Sequence, residues 1–129
     1  MIYLDSSVVI AQLLAEDRRP PEELWSRSLT SSRLMEYEVW TRVHARGMGA
    51  RLGEGIRLLL GRLALLGLGR PVLTRALEPF PGRVRTLDAI HLASADFLRR
   101  QGQDVTVATY DARMAEAARG MGFALYILE

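Results

Sequence analysis

Apolar residues fall in short runs along the chain, and the polar residues between them predict strands alternating with helices. Ile2–Leu4 reads as a short buried strand, and residues 8–17 (VVIAQLLAED) read as a helix. The sequence RRPP (18–21) breaks the pattern, and PEELWSRSL (21–29) predicts a short helix with Pro near its start and acids in its first turn. LTSS (29–32) is a candidate second strand. Residues 33–47 carry the 3.6-residue period of a helix that stops at Gly47 and Gly49. A further helix is predicted over 54–66, weakened by Gly55 and Gly61, with a strand around 66–68 and a helix over 72–80 that ends at FPG. The helix at 86–101 is followed by VTVATY (105–110), a strand rich in β-branched residues. Residues 111–122 form a helix with Asp111 as N-cap and Gly at its end, and FALYIL (123–128) closes the chain as a strand. Strands and helices alternating through short connections imply an α/β fold: a single domain over residues 1–129, its central short parallel sheet flanked by helices on both faces. No internal repeat or linker interrupts it.

One position breaks the apolar logic of the helix 86–101. Asp88 shares a face with Leu92 and Ala95, at i+4 and i+7, where a core is expected. A structural reason is available, with Thr86 as N-cap and an acid in the first turn favoured by the helix dipole.

Composition narrows the chemistry. The chain has no Cys, which excludes disulfides, thiolate catalysis and Cys-based zinc sites. All 17 basic residues are Arg, so mechanisms that need Lys are excluded, including Walker-type phosphate binding and Schiff-base formation. The opening MIYLD lacks the features of a signal peptide. The apolar stretch 56–69 is interrupted by Arg57 and Arg62 and is too short to span a bilayer, so a cytoplasmic location with no membrane partner is expected. The formal charge is only +2, yet sequestering four acids around a metal would raise it to +6, a surface attractive to a polyanion.

The acids are placed suggestively. Asp5 directly follows the first predicted strand and Asp111 directly follows VTVATY. Parallel sheets gather functional groups beyond the carboxyl ends of their strands, so both acids are expected at one edge, unless each only caps a helix. Asp88, near a helix start, can point there too. Three converging carboxylates repel one another, and Mg²⁺ or Mn²⁺ is the expected compensation for an all-oxygen site. A fourth acid is expected from the helix 33–47, which offers Glu36 and Glu38. They lie about 200° apart around a helix, so only one can face a given site, and periodicity does not choose between them.

YLDSS (3–7), SRLMEYEVW (32–40), RTLDAIHLASA (85–95) and VATYDARMAEAARGMG (107–122) together resemble the PIN domain, most closely the VapC-type ribonuclease toxins of toxin–antitoxin pairs. The resemblance runs in order over essentially the whole chain. It implies that Asp5, Glu38, Asp88 and Asp111 are the catalytic and metal-holding acids, Glu38 being preferred because it lies six positions after Ser32 and precedes an aliphatic residue. It further implies an endoribonuclease that uses Mg²⁺, or Mn²⁺, to activate water for phosphodiester hydrolysis, a homodimer, and a cognate antitoxin covering the groove. Ser6 or Ser7 either supports Asp5 or caps the next helix. Thr109 matches a family position that supports the site, and His91 either orients Asp88 from i+3 or simply packs. His44 has no evident partner, and Asp96 either supports the site or is solvated. Trp25, Tyr37 and Trp40 could stack on bases or serve as core or dimer contacts, while Arg42, Arg46 and Arg113 are candidate phosphate contacts. Two rivals share the acidic pocket: a non-catalytic binding module of the same fold, and a phosphotransfer receiver, which normally needs a Lys that this chain lacks.

Overall fold

In a computed structural model, which describes residues 1–14 and 17–128, five parallel strands form one sheet in the order β3-β2-β1-β4-β5. The strands are β1 (Ile2–Leu4), β2 (Leu29–Ser32), β3 (Leu63–Leu66), β4 (Thr106–Ala108) and β5 (Ala124–Leu125). The helices are α1 (Ser6–Leu14), α2 (Arg33–Ala45), α3 (Gly49–Leu60), α4 (Arg70–Ala76), α5 (Thr86–Arg100) and α6 (Ala112–Gly120), with a 3₁₀ turn at Glu22–Ser26. The chain builds outward from β1 through β2 to β3, then crosses back to lay β4 on the other side of β1. That reversal creates a crevice between β1 and β4 at their carboxyl ends, the place where open α/β sheets bind ligands.

Alternation along β1 divides the core in two. Ile2 and Leu4 face a layer built from Val8 and Val9 of α1, Met35, Val39 and Val43 of α2, and Ile56 and Leu60 of α3. Tyr3 points the other way, into a layer of Leu92 and Ala95 from α5, Val105 and Val107, and Met114, Ala117 and Ala118 from α6. Both faces of the sheet are covered, which is why β1 and β3 read as apolar runs rather than as alternating patterns, while β2 is buried along its length despite Thr30, Ser31 and Ser32.

The α/β class and parallel sheet agree with the sequence reading, but several boundaries do not. The helix expected over 54–66 begins at Gly49 and ends at Leu60, and LALL belongs to β3 rather than to that helix. A short apolar run cannot be assigned to helix or strand by periodicity alone, and here pairing with β2 decides it. The strand sought at 66–68 therefore lies three residues earlier. Thr86 is not the N-cap of α5: Arg85 holds that position without a side-chain cap, and Thr86 is the first helical residue. The segment 21–29 forms only the 3₁₀ turn, α4 spans Arg70–Ala76 rather than 72–80, and α1 begins earlier than expected, at Ser6. Ala15 and Glu16, in the helix predicted to reach residue 17, lie outside the described residues. The last two strands are shorter than their apolar runs, although the Tyr126 amide still bonds to the Val107 carbonyl.

Candidate active site

Three of the helices that start at the carboxyl edge of the sheet bring an acid there at or next to their first turn. Asp5 links β1 to α1, Asp88 lies in the first turn of α5, and Asp111 is the N-cap of α6. The amide-rich N-termini of these helices offset part of the crowding of negative charge. Glu38 arrives from α2, whose start is fixed because Ser32, the last residue of β2, caps it by accepting from the Leu34 amide at 3.2 Å. Asp5, Glu38, Asp88 and Asp111 line one cleft of about 490 Å³, together with Ser6, Ser7, Arg42 and Arg85. Glu36 faces elsewhere, pairing with Arg33 at 3.4 Å on the outer surface of α2.

Asp5 is the most constrained of the four. Its carboxylate is buried and accepts from Ser7 Oγ at 2.5 Å and from Thr109 Oγ1 at 2.6 Å. Ser7 Oγ also receives the Tyr110 amide at 2.9 Å, and Thr109 Oγ1 receives the Asp111 amide at 2.9 Å. Both hydroxyls thereby tie the end of β1 to the loop after β4. Burial raises the Asp5 pKa to about 6 despite these two donors, whose effect is to lower it.

Glu38 is held by a chain of contacts from the sheet. Tyr3, fully buried, places its hydroxyl 2.8 Å from His91 Nδ1, and His91 Nε2 lies 2.6 Å from Glu38 Oε1. A carboxylate only accepts, so Nε2 carries hydrogen and donates to Glu38, and with the ring neutral the Tyr3 hydroxyl donates to Nδ1. Burial pushes the Tyr3 pKa above its usual value, which keeps the hydroxyl protonated for that role. His91 therefore does not orient Asp88; it fixes one oxygen of Glu38. Tyr3 is a participant the sequence reading missed, hidden as one more large residue in an apolar strand.

Arg85 is the second. Its Nε donates to Asp88 Oδ2 at 3.1 Å, and its terminal nitrogen pairs with Asp111 Oδ2. The bond to Asp88, reinforced by Asp111, keeps the guanidinium firmly charged. The only sequence signal was a basic residue three positions before an acid, a spacing that is common on helices. Among the described residues, no three acidic or imidazole groups are gathered closely enough to hold an ion as they stand. A cation nevertheless already bridges two of the four acids, and the donors are all hard oxygens. That set suits Mg²⁺ or Mn²⁺ in chemistry, with Arg85 standing where positive charge is needed.

The remaining candidates separate cleanly. Asp96 is buried at the far end of α5, bonded to Arg75 at 3.0 Å, Arg99 at 2.8 Å and Arg100 at 3.1 Å, and it takes no part in the cleft. His44 does have a partner: it stacks on Trp40, ring centroids 5.4 Å apart, and Gly49 leaves room for its ring, since a Cβ there would lie 2.7 Å away. Trp25 and Trp40 pack against the core on the α1–α3 side, whereas Tyr37 is exposed. Arg42 lines the cleft, Arg46 ends α2, and Arg113 lines a separate cleft with Arg83.

Comparison with known proteins identifies the family of the chain. The family profile of the PIN domain matches residues 2–120. The chain is 37% identical over 128 residues to ribonuclease VapC46 of Mycobacterium tuberculosis (strain ATCC 25618 / H37Rv), covering 96% of this chain and 95% of that protein. It is 33% identical over 130 residues to ribonuclease VapC47 of the same species (strain CDC 1551 / Oshkosh), covering 95% and 93%. The crystal structure of M. tuberculosis VapC20, described as a sarcin-ricin loop cleaving toxin, superposes with a TM-score of 0.71 at 19% identity, over 98% of each chain. That last likeness speaks to the fold.

Proposed function

Because the chain belongs to the PIN-domain family, among its VapC-type ribonucleases, we propose that it is the toxin of a toxin–antitoxin pair and hydrolyses RNA phosphodiester bonds at the cleft between β1 and β4. The observation that carries this reading is the convergence of Asp5, Glu38, Asp88 and Asp111 on one cleft from four different elements. Those four would hold Mg²⁺, or Mn²⁺ in its place. When bound, the ion supplies Lewis-acid activation of the phosphodiester and of the attacking water.

The protein's own contribution is to fix the donors in advance. Ser7 and Thr109 hold both oxygens of Asp5, and His91 holds Oε1 of Glu38, so that Oε2 is the oxygen His91 leaves over. Asp111 Oδ1 is held by the first amides of α6, from Arg113 at 2.9 Å and Met114 at 3.2 Å, so that Oδ2 is the oxygen presented. Such support keeps reacting groups within the narrow tolerance that catalysis demands. Arg42, on the wall of the cleft, would supply a phosphate contact in this reading. No nucleophilic side chain is required. The partners in this reading are a cognate antitoxin, the RNA and a second copy of the chain, in the cytoplasm. No helix among the described residues is long and apolar enough to cross a membrane.

The test is cleavage of a fluorescent single-stranded RNA by purified protein, with Mg²⁺ or Mn²⁺ and with a chelator. Cleavage should require the cation and should fall by about a hundredfold or more in Asp88→Asn. Equal cleavage by the two proteins would overturn the site assignment, and a cation-independent rate would overturn the metal.

A further inference from the structure

Arg85 stands at the mouth of the cleft on the residue that precedes α5, with its side chain 59% exposed. Its two contacts use particular oxygens. The amides of α6 already occupy Asp111 Oδ1, and Arg85 takes Oδ2, the oxygen they leave over. At Asp88 it takes Oδ2 as well. One guanidinium thus closes across the acids of α5 and α6 on the side where they face the cleft. Asp5 and Glu38, by contrast, are supported by the hydroxyls of Ser7 and Thr109 and by the imidazole of His91, with no Arg bonded to either carboxylate among the contacts given for them.

We propose that Arg85 is a resident counter-cation that competes with the divalent ion for Asp88 and Asp111 and so sets the metal affinity of the site. This rests on the reading of the four acids as metal-holding. The two occupants would draw on the same acids, since Oδ2 of Asp88 and Oδ2 of Asp111 are already bonded to Arg85. Charge makes the exchange natural. Without metal, Arg85 offsets two carboxylates that would otherwise repel each other across the cleft. With metal bound, a fixed guanidinium beside a divalent ion would be repelled, and the long exposed side chain can swing into water. The site is then held assembled while empty, at the expense of weaker metal binding.

The experiment is calorimetric titration of Mn²⁺ into the wild type, Arg85→Ala and Arg85→Lys, with thermal melting of each protein free of metal. Arg85→Ala should bind Mn²⁺ about three- to thirtyfold more tightly, the range expected when two partly exposed ion pairs cease to compete. It should also melt at a lower temperature without metal, and Mn²⁺ should restore more of its melting temperature than the wild type gains. Arg85→Lys, which keeps a charge but loses the fork that spans two acids, should fall between the two. Mn²⁺ binding by the wild type with equal or weaker binding by Arg85→Ala would overturn the role of Arg85 alone. Absence of Mn²⁺ binding in all three proteins would overturn the reading of the acids as a metal site, and this proposal with it.

Discussion

His91 Nε2 lies 2.6 Å from Glu38 Oε1, so a residue of α5 holds an acid of α2 across the end of the sheet that separates their two helical layers. The imidazole in turn is fixed by Tyr3 from the central strand. Replacing His91 with Ala leaves the buried Tyr3 hydroxyl without this partner and opens a cavity, at a cost of about 2–3 kcal/mol by urea unfolding. Tyr3→Phe should cost about 1 kcal/mol. Half-maximal cleavage by His91→Ala should need roughly ten- to a hundredfold more Mn²⁺, as for other residues that orient a metal ligand. An unchanged Mn²⁺ requirement would assign His91 to packing alone.

Thr109 makes the corresponding link for the other acids, donating to Asp5 and accepting from the Asp111 amide. Thr109→Val keeps the shape and removes both bonds. It should lose about 1–2 kcal/mol of stability and cleave more slowly, whereas Thr109→Ser should behave nearly as the wild type. Equal behaviour of the two variants would show that the hydroxyl is idle.

Glu36 and Glu38 offer an internal control on one helix. Glu38→Gln should abolish most RNA cleavage. Glu36→Gln, which disturbs only an exposed pair with Arg33, should stay within about twofold of the wild type in rate and within about 0.5 kcal/mol in stability. Loss of activity in the Glu36 variant would reverse their assignment.

Asp96 predicts an acid-sensitive stability unrelated to catalysis. Burial alone would raise its pKa, but hydrogen bonds from Arg99 and Arg75 and the charge of Arg100 prevail and hold it below the usual carboxylate range. The unfolded chain therefore takes up this proton first as the pH falls. The stabilisation is complete above about pH 4, the ordinary range of an unfolded Asp, and is lost as pH falls through the lower folded value. Asp96→Asn should cost about 2–3 kcal/mol at pH 7, with the gap to the wild type narrowing as the pH falls below about 4. Urea unfolding of both proteins at the two pH values measures it, and a constant gap would contradict the account.

The parts legible in the sequence were those carried by local pattern. The strand Ile2–Leu4 followed at once by Asp5, and the cap position of Asp111, follow from short-range chemistry, and the structure has both. β3 was misread because LALL satisfies a helix and a buried strand equally, and only its pairing with β2 distinguishes them. Periodicity left Glu36 and Glu38 equivalent; which one meets the cleft depends on how α2 rotates against α1 and β2. Arg85 and Tyr3 were invisible for a related reason, since their roles are defined by Asp111 and His91, far away in the chain. His91 was correctly placed on the face of Asp88, yet its nitrogens are spent on other elements.

The pairing of β1 with β4 joins residues 2–4 to residues 106–108. It also dictates when the cleft can come into being. A nascent chain leaving the ribosome has Asp5 early, but Asp5 lacks the strand β4, Thr109 and Asp111 until about a hundred further residues have been translated. Whatever chemistry the cleft performs is therefore withheld from the growing chain until β4, Thr109 and Asp111 have been added to it.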